Sequence, residues 1–301
     1  MRAGTRSPER QRLWLGLSSV AAMAALYTLA SNAHLLLDVS TLPGPLGRLL
    51  RPQVLPSTQR LLGTLVRLVT GPEAPAGATH THAIDHLGAL VQEHVTLQGS
   101  LLVSTLRVLV GLAVGAPLGI LAGLLMGWSR RVDEYVHPVY ILLRSIPPLA
   151  LITYVMLWLG HGEAHLLVPV VYAVFTTLVI PTYHGVRDMA EVYARAAQAL
   201  GARGRLLFGR VVLPAASPLV LAGLRYALLV AWMTTVGAEM LMANSGMGRL
   251  LVGGGMWSSR LEIRVDPAVV VVGIAGLATA GYAMDTAVRL AADRLTRWMR
   301  R

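Results

Sequence analysis

Neither cysteine nor lysine occurs anywhere in this chain, and each absence removes a class of chemistry. Without cysteine there is no disulfide framework and no thiolate metal site, and the sequence carries no mark of a redox compartment. Without lysine a P-loop cannot be built, because its Lys must reach the terminal phosphates. A process driven by ATP would therefore need its hydrolase on another subunit. Charge is sparse as well: 14% of the 301 residues are charged, against 54% that are hydrophobic. That balance argues against a water-soluble core and places the chain among membrane proteins. All 26 basic residues are Arg, and the formal net charge is +11. No nucleic-acid-binding module accompanies this charge, and the Arg residues concentrate between apolar stretches, where they orient a membrane protein instead.

A membrane helix needs about 20 mainly apolar residues, and six stretches qualify: 13–30, 100–128, 139–159, 166–183, 219–242 and 267–290. The expected fold is all-α and polytopic. The first stretch also has signal-peptide features, an Arg-rich start and small residues Ser31 and Ala33 after it, but five later spans favour its retention as a membrane helix. With the N-terminus inside, four Arg precede the first span, two stand at Arg130 and Arg131, five lie between Arg187 and Arg210, and five follow from Arg289. The inner side then holds 16 and the outer side 7, with Arg107, Arg144 and Arg225 inside nominal spans. Positive charge stays on the cytoplasmic side, so both termini are expected there.

The second span repeats glycine every fourth residue, at Gly111, Gly115, Gly119, Gly123 and Gly127. Residues four apart share a helix face, and small ones admit a neighbouring backbone, so these five predict a packing face. Pro117 predicts a kink within it. Residues 31–99 carry turn chemistry in Leu42-Pro43-Gly44-Pro45 and Gly71-Pro72-Glu73-Ala74-Pro75. Between those clusters residues 58–69 suit a short surface helix exposing Arg60 and Arg67.

The most informative stretch is residues 195–214, RAAQALGARGRLLFGRVVLP. Arg195, Ala196 and Ala197 are followed by Gly201 after three residues, and by Val211, Val212, Leu213 and Pro214 after nine more. This resembles the coupling loop of binding-protein-dependent ABC importer permeases, Glu-Ala-Ala, three residues, Gly, nine residues, Ile, any residue, Leu-Pro. The chain departs with Arg195 for Glu and Val211 for Ile. Glu191, one turn earlier, is placed to pair with Arg195. Good helix formers run to Leu200, Gly201 suits a helix end, a second turn spans Arg203 to Phe208, and Pro214 suits the first turn of the next helix. Two short helices along the membrane surface are expected. Shorter stretches extend the likeness over residues 101–289 and toward the nitrate, sulfonate and taurine branch. They are Ser104-Thr105-Leu106-Arg107-Val108, Leu143-Arg144-Ser145-Ile146-Pro147-Pro148, Ala222-Gly223-Leu224-Arg225, Ala238-Glu239-Met240 and Ser245-Gly246-Met247-Gly248. Residues 71–90 look like an insertion relative to that branch.

The resemblance implies a type I ABC importer permease fold of six transmembrane helices. Residues 1–35 would form a cytoplasmic start and first helix, 36–97 an extracytoplasmic loop, 98–290 the permease core and 291–301 a cytoplasmic Arg-rich tail. It also implies a pair of ATPase subunits on the coupling loop, carrying the ATP and Mg that this chain does not, and an extracytoplasmic solute-binding protein. A second permease copy, making a homodimer in the bilayer, would complete the path. The cargo it implies is a small anion such as a sulfonate, taurine, nitrate or bicarbonate. A pyrimidine vitamin precursor is the alternative within the branch, and a secondary carrier the alternative outside it. The latter would show inverted repeats, and none is seen.

Candidates for the translocation path are Arg144, Pro147, Pro148, Glu239 and Ser245. Glu239 either lines the path or pairs across a helix interface, and the pairing is preferred because a carboxylate repels an anion. Arg144 either steers an anion or snorkels to the surface. Pro147 and Pro148 cannot donate backbone hydrogen bonds and should break the third span. His80, His82, His86 and His94 with Asp85 and Glu93 suit zinc or nickel by chemistry, but their spacing matches no metal motif, and a solvated insertion is preferred. Ala243-Asn244-Ser245-Gly246 approximates the Gly-x-Ser-Gly of rhomboid intramembrane proteases. That chemistry needs a later His to take the Ser proton, and none follows His184.

Overall fold

A computed structural model describes residues 18, 21–22, 24–32, 56–70, 96–159, 162–252 and 266–296. The His-containing insertion, the Arg residues within 2–12 and 297–301, residues 13–17, 19–20 and 23 of the first span, and the side chain of Glu191 lie outside the described residues. The chain divides into two compact units, residues 1–71 with 265–272, and residues 72–264 with 273–301.

In the first unit, residues 24–31 are helical and α1 covers Thr58–Thr70. Tyr27 donates its hydroxyl to the carbonyl of Pro56 at 3.0 Å, Asn32 reaches Thr58, and Arg60 pairs with Asp266 at 3.2 Å. In α1 the apolar Leu61, Leu62, Leu65, Val66, Leu68 and Val69 fall on one side, and Arg60 and Arg67 on the other.

The second unit is built on α2 (Leu97–Trp128), capped by Thr96, whose hydroxyl accepts from Gly99 N–H at 3.1 Å. Its glycines press on α5 (Glu163–His184) and the turn after it. A Cβ at Gly115, Gly119, Gly123 or Gly127 would lie 2.6 to 3.0 Å from the carbonyl oxygens of Val171, Phe175, Val179 and Tyr183 respectively. The four-residue rhythm on α2 meets the same rhythm on α5, and only a hydrogen at each position lets the backbones approach this closely. The helix runs unbroken through Pro117, which lies on its exposed side, so the expected kink does not interrupt it.

The expected third span, 139–159, is two helices, α3 (Arg130–Arg144) and α4 (Pro148–Leu159), meeting at 88°. Pro147 and Pro148 supply no N–H and disfavour helical backbone in the residue before each. Tyr172 of α5 donates its hydroxyl toward the carbonyls of Leu143 and Ile146 at the break, satisfying groups the bend sets free.

From α5 the helical backbone continues through a π-helical turn (Gly185–Met189) into α6 (Ala190–Ala199). After residues 200–203 it resumes as α7 (Gly204–Leu207), a second π turn (Phe208–Val212) and α8 (Leu213–Met242), with Pro214 in its first turn. The two surface helices expected around Gly201 are thus the ends of two long helices, of 35 and 39 residues. No proline interrupts the chain between Pro181 and Pro214, and each π turn absorbs an extra residue without ending the hydrogen-bond ladder. The fold ends with α9 (Met247–Leu251) and α10 (Pro267–Leu295). Among the described residues four helices are long and apolar enough to cross a membrane, or five with the bent pair as one span. The core joins Val108, Ala116, Val170, Val174, Leu178, Ala227, Leu228, Ala231 and Trp232, with Leu277, Ala280 and Met284 of α10 against it.

Candidate functional site

At one end of α5 and α8 lies the turn singled out by its spacing. Gly201 has φ +91°, a conformation that costs an L side chain about 1–2 kcal/mol but is open to glycine. Its N–H donates to the carbonyl of Gln198 at 2.9 Å, and the N–H of Ala202 reaches back to Ala197 at 2.9 Å. This pair of bonds is the closure by which a left-handed glycine satisfies the last carbonyls of a helix. The motif's offsets follow from it: Ala197 is the acceptor, Gly201 the reversal four residues on, and Ala202 packs back beside Ala197. Leu207, Val212, Val186 and Ala216 form the small core beneath, joined by Phe208 and Val211, and Phe208 meets Trp128 edge to face with centroids 5.0 Å apart.

What this turn presents outward is mixed. Tyr193, Leu200 and Leu206 are exposed, Leu200 to 89%, and Arg195, Ala196, Arg203, Arg205, Arg210 and Leu213 are exposed with them. A cleft of about 480 Å³ opens between Trp128, Gln198, Ala202, Arg203, Gly204 and Leu207. A concave surface that mixes exposed apolar side chains with Arg suits a protein partner. Behind it, Asp133 at the start of α3 accepts from Tyr183 at 3.1 Å and pairs with Arg187 of the π turn.

The opposite end of the same helices holds a buried ion cluster. Glu239, with no exposed surface, accepts from the hydroxyl of Ser104 at 2.8 Å, the N–H of Gly248 at 2.9 Å and Nη1 of Arg107 at 2.7 Å. Ser104 in turn accepts from the N–H of Met247 at 2.8 Å. Arg107 uses all five of its N–H donors: besides Glu239 it reaches the carbonyl of Ser245 at 2.9 Å and its hydroxyl at 3.0 Å. Its Nε and Nη2 form a parallel fork onto Glu163 at 2.8 and 2.6 Å. The turn over the carboxylate needs glycine twice. Gly246 has φ +104° and faces the Glu239 carboxylate, and a Cβ at Gly248 would lie 2.6 Å from Cβ of Glu239.

The structure therefore brings Glu239 and Ser245 together, and it does so with Arg107, Ser104 and Glu163. Arg144, Pro147 and Pro148 lie apart from them, at the α3–α4 break, with Arg144 exposed. Arg225 pairs in a fork with Asp285 of α10 at 2.8 and 2.9 Å. In the sequence the Ser104–Val108 stretch carries a family likeness, but nothing there marks Arg107 for a role. Glu163 carried no signal at all, since nothing in its neighbourhood repeats or matches a motif. Ser245 Oγ faces a guanidinium, not a base, so it has no route to an activated nucleophile here. Among the described residues no group of His, Asp and Glu has the geometry of a metal site.

The result is an all-helical, polytopic core whose two long helices join the Gly201 turn to a buried ion cluster. Residues 115–297 match the family described as the binding-protein-dependent transport system inner membrane component, and the chain belongs to it. The taurine transport system permease protein TauC of Escherichia coli K12 is 32% identical over 251 residues, 83% of this chain and 82% of that one. A probable ABC transporter permease of Brucella abortus is 34% identical over 205 residues, 68% of this chain and 79% of its own. The putative aliphatic sulfonates transport permease SsuC of Bacillus subtilis is 31% identical over 202 residues, 67% and 71% of the two chains. The chain is the membrane-spanning permease subunit of an ABC importer, a multi-pass inner-membrane protein that works with an ATPase and a binding protein.

Proposed function

We propose that this permease carries a small oxyanion, of the sulfonate, taurine, nitrate or bicarbonate class, into the cell. The observation that carries this reading is the likeness to a taurine permease over 83% of the chain. An extracytoplasmic binding protein delivers the solute, and the path runs between two copies of the chain. Large apolar side chains such as Leu142, Tyr154, Leu157, Trp158, Tyr226 and Met233 stand exposed in the single chain, and a second copy and lipid would cover them.

The turn at Gly201 docks on a pair of ATPase subunits, which bind ATP and Mg. The Arg distribution supports a cytoplasmic position for this turn and for both termini. ATP closure moves the docked turns, α5 and α8 move with them as rigid rods, and the path opens outward. Hydrolysis then returns it to the inside. Proteoliposomes holding the permease, its ATPase and its binding protein test the reading. ATP-dependent accumulation of labelled taurine or another small oxyanion is the expected result. ATP-dependent accumulation of a neutral pyrimidine alone would overturn the substrate class.

A further inference from the structure

We infer that the Nε–Nη2 edge of Arg107 is an exchangeable oxyanion site, occupied in this conformation by the carboxylate of Glu163 and taken by the anionic cargo when Glu163 withdraws. The inference rests on the oxyanion reading and on the orientation that puts this end of the helices outside.

Three observations carry it. The first is which partners of Arg107 can move. Glu239 is wholly enclosed and held besides by the Ser104 hydroxyl and the Gly248 N–H, and the Ser245 contacts come from a turn whose glycines leave no slack. Glu163 is the most open of these partners to solvent, with 44% of its side chain exposed against 5% for Arg107, whereas Ser245 is only partly exposed. The guanidinium thus has two locked faces and one accessible edge.

The second is the shape of that edge. Two parallel N–H groups, bonded at 2.6 and 2.8 Å, present the fork that binds carboxylate, sulfonate or nitrate oxygens in pairs. Glu163 therefore occupies the edge as a carboxylate-bearing solute would. The charge balance fits: Arg107 with Glu239 is neutral, so an anion replacing Glu163 restores the same total charge. With Glu163 in place the cluster is net negative and repels a second anion.

The third is mechanical. Glu163 begins the helix that ends at the Gly201 turn, and Glu239 lies near the end of the helix that starts beyond it. About 50 Å of continuous helix, at ~1.5 Å per residue, joins the coupling turn to Glu163. Motion reaching this first turn of α5 shifts the Glu163 side chain against Arg107, which opens or closes the fork.

Calorimetric titration of the permease–ATPase complex in lipid nanodiscs, without binding protein, reads this directly. Methanesulfonate is the probe and neutral dimethyl sulfone the control. Glu163→Gln keeps an acceptor near the fork but removes its charge. It should bind methanesulfonate roughly tenfold or more tightly than wild type, the scale of one charge-assisted fork, with no gain for dimethyl sulfone. Adding Arg107→Lys, which cannot form the fork, should remove the gain. If Glu163→Gln does not assemble, Glu163→Asp, too short to span both nitrogens, should show a smaller gain. A folded Glu163→Gln or Glu163→Asp complex that binds methanesulfonate no better than wild type, or gains equally for the sulfone, overturns the site. Binding and uptake separate the two claims. Oxyanion uptake with no gain in binding removes the site alone, and a gain in binding with uptake only of neutral solutes removes the substrate class alone.

Discussion

Gly201 and Gly246 show how a single hydrogen in place of a side chain decides what the chain can do. At Gly201 the φ of +91° reverses the chain and lets Ala202 close back on Ala197. Gly201→Val should cost about 1–2 kcal/mol at that turn and abolish ATP-driven uptake while the membrane helices still form, measured as transport and circular dichroism on one preparation. Gly201→Asn should retain much of the uptake, because Asn tolerates the left-handed region. Gly246 is constrained by backbone and by space, its Cβ position being filled by the Glu239 carboxylate. Gly246→Ala should lower stability by roughly 2 kcal/mol or more, read as a drop in thermal unfolding temperature. Gly63→Ala, in open space on α1, should leave stability unchanged or raise it slightly.

At the scale of elements, the α3–α4 pair turns on its prolines. Restoring two N–H donors with Pro147→Ala and Pro148→Ala should favour one continuous helix over the 88° bend. Spin labels on cysteines placed at Tyr135 and Leu157 should then report a longer separation, without background thiols to remove. Much at this scale was legible in advance. The glycine rhythm of α2 announced a close packing face because the requirement repeats at a fixed interval, and Pro147-Pro148 announced a break because the missing donors are local. The continuity of α5 into α6 was not legible: the polar composition after Tyr183 reads as a separate surface helix, and a π turn leaves no sequence signature. The Arg107 cluster was illegible for another reason. Its partners lie 56 and 132 residues away, and pairing across helices has no periodicity to read.

At the scale of the molecule, α5 and α8 each run from the partner-facing turn to the buried cluster. Force applied at one end has a rigid route to the other, and in the proposed function that arrangement, more than any single residue, is what would couple an ATPase to a membrane path. If the turn docks on the ATPase as proposed, Arg195 gives it a basic rim, which predicts a matching acidic groove on that partner. The chain's freedom from cysteine makes the central claim open to one clean measurement. Arg203→Cys supplies the sole thiol at the exposed tip of the turn, and a benzophenone maleimide attached there reports whatever lies against it. Illumination of membranes holding the assembled transporter should yield an adduct between the permease and the ATPase subunit, weakened by Gly201→Val. Adducts only with lipid or with the binding protein would contradict the account, because the turn would then not be where ATP-driven motion enters the permease.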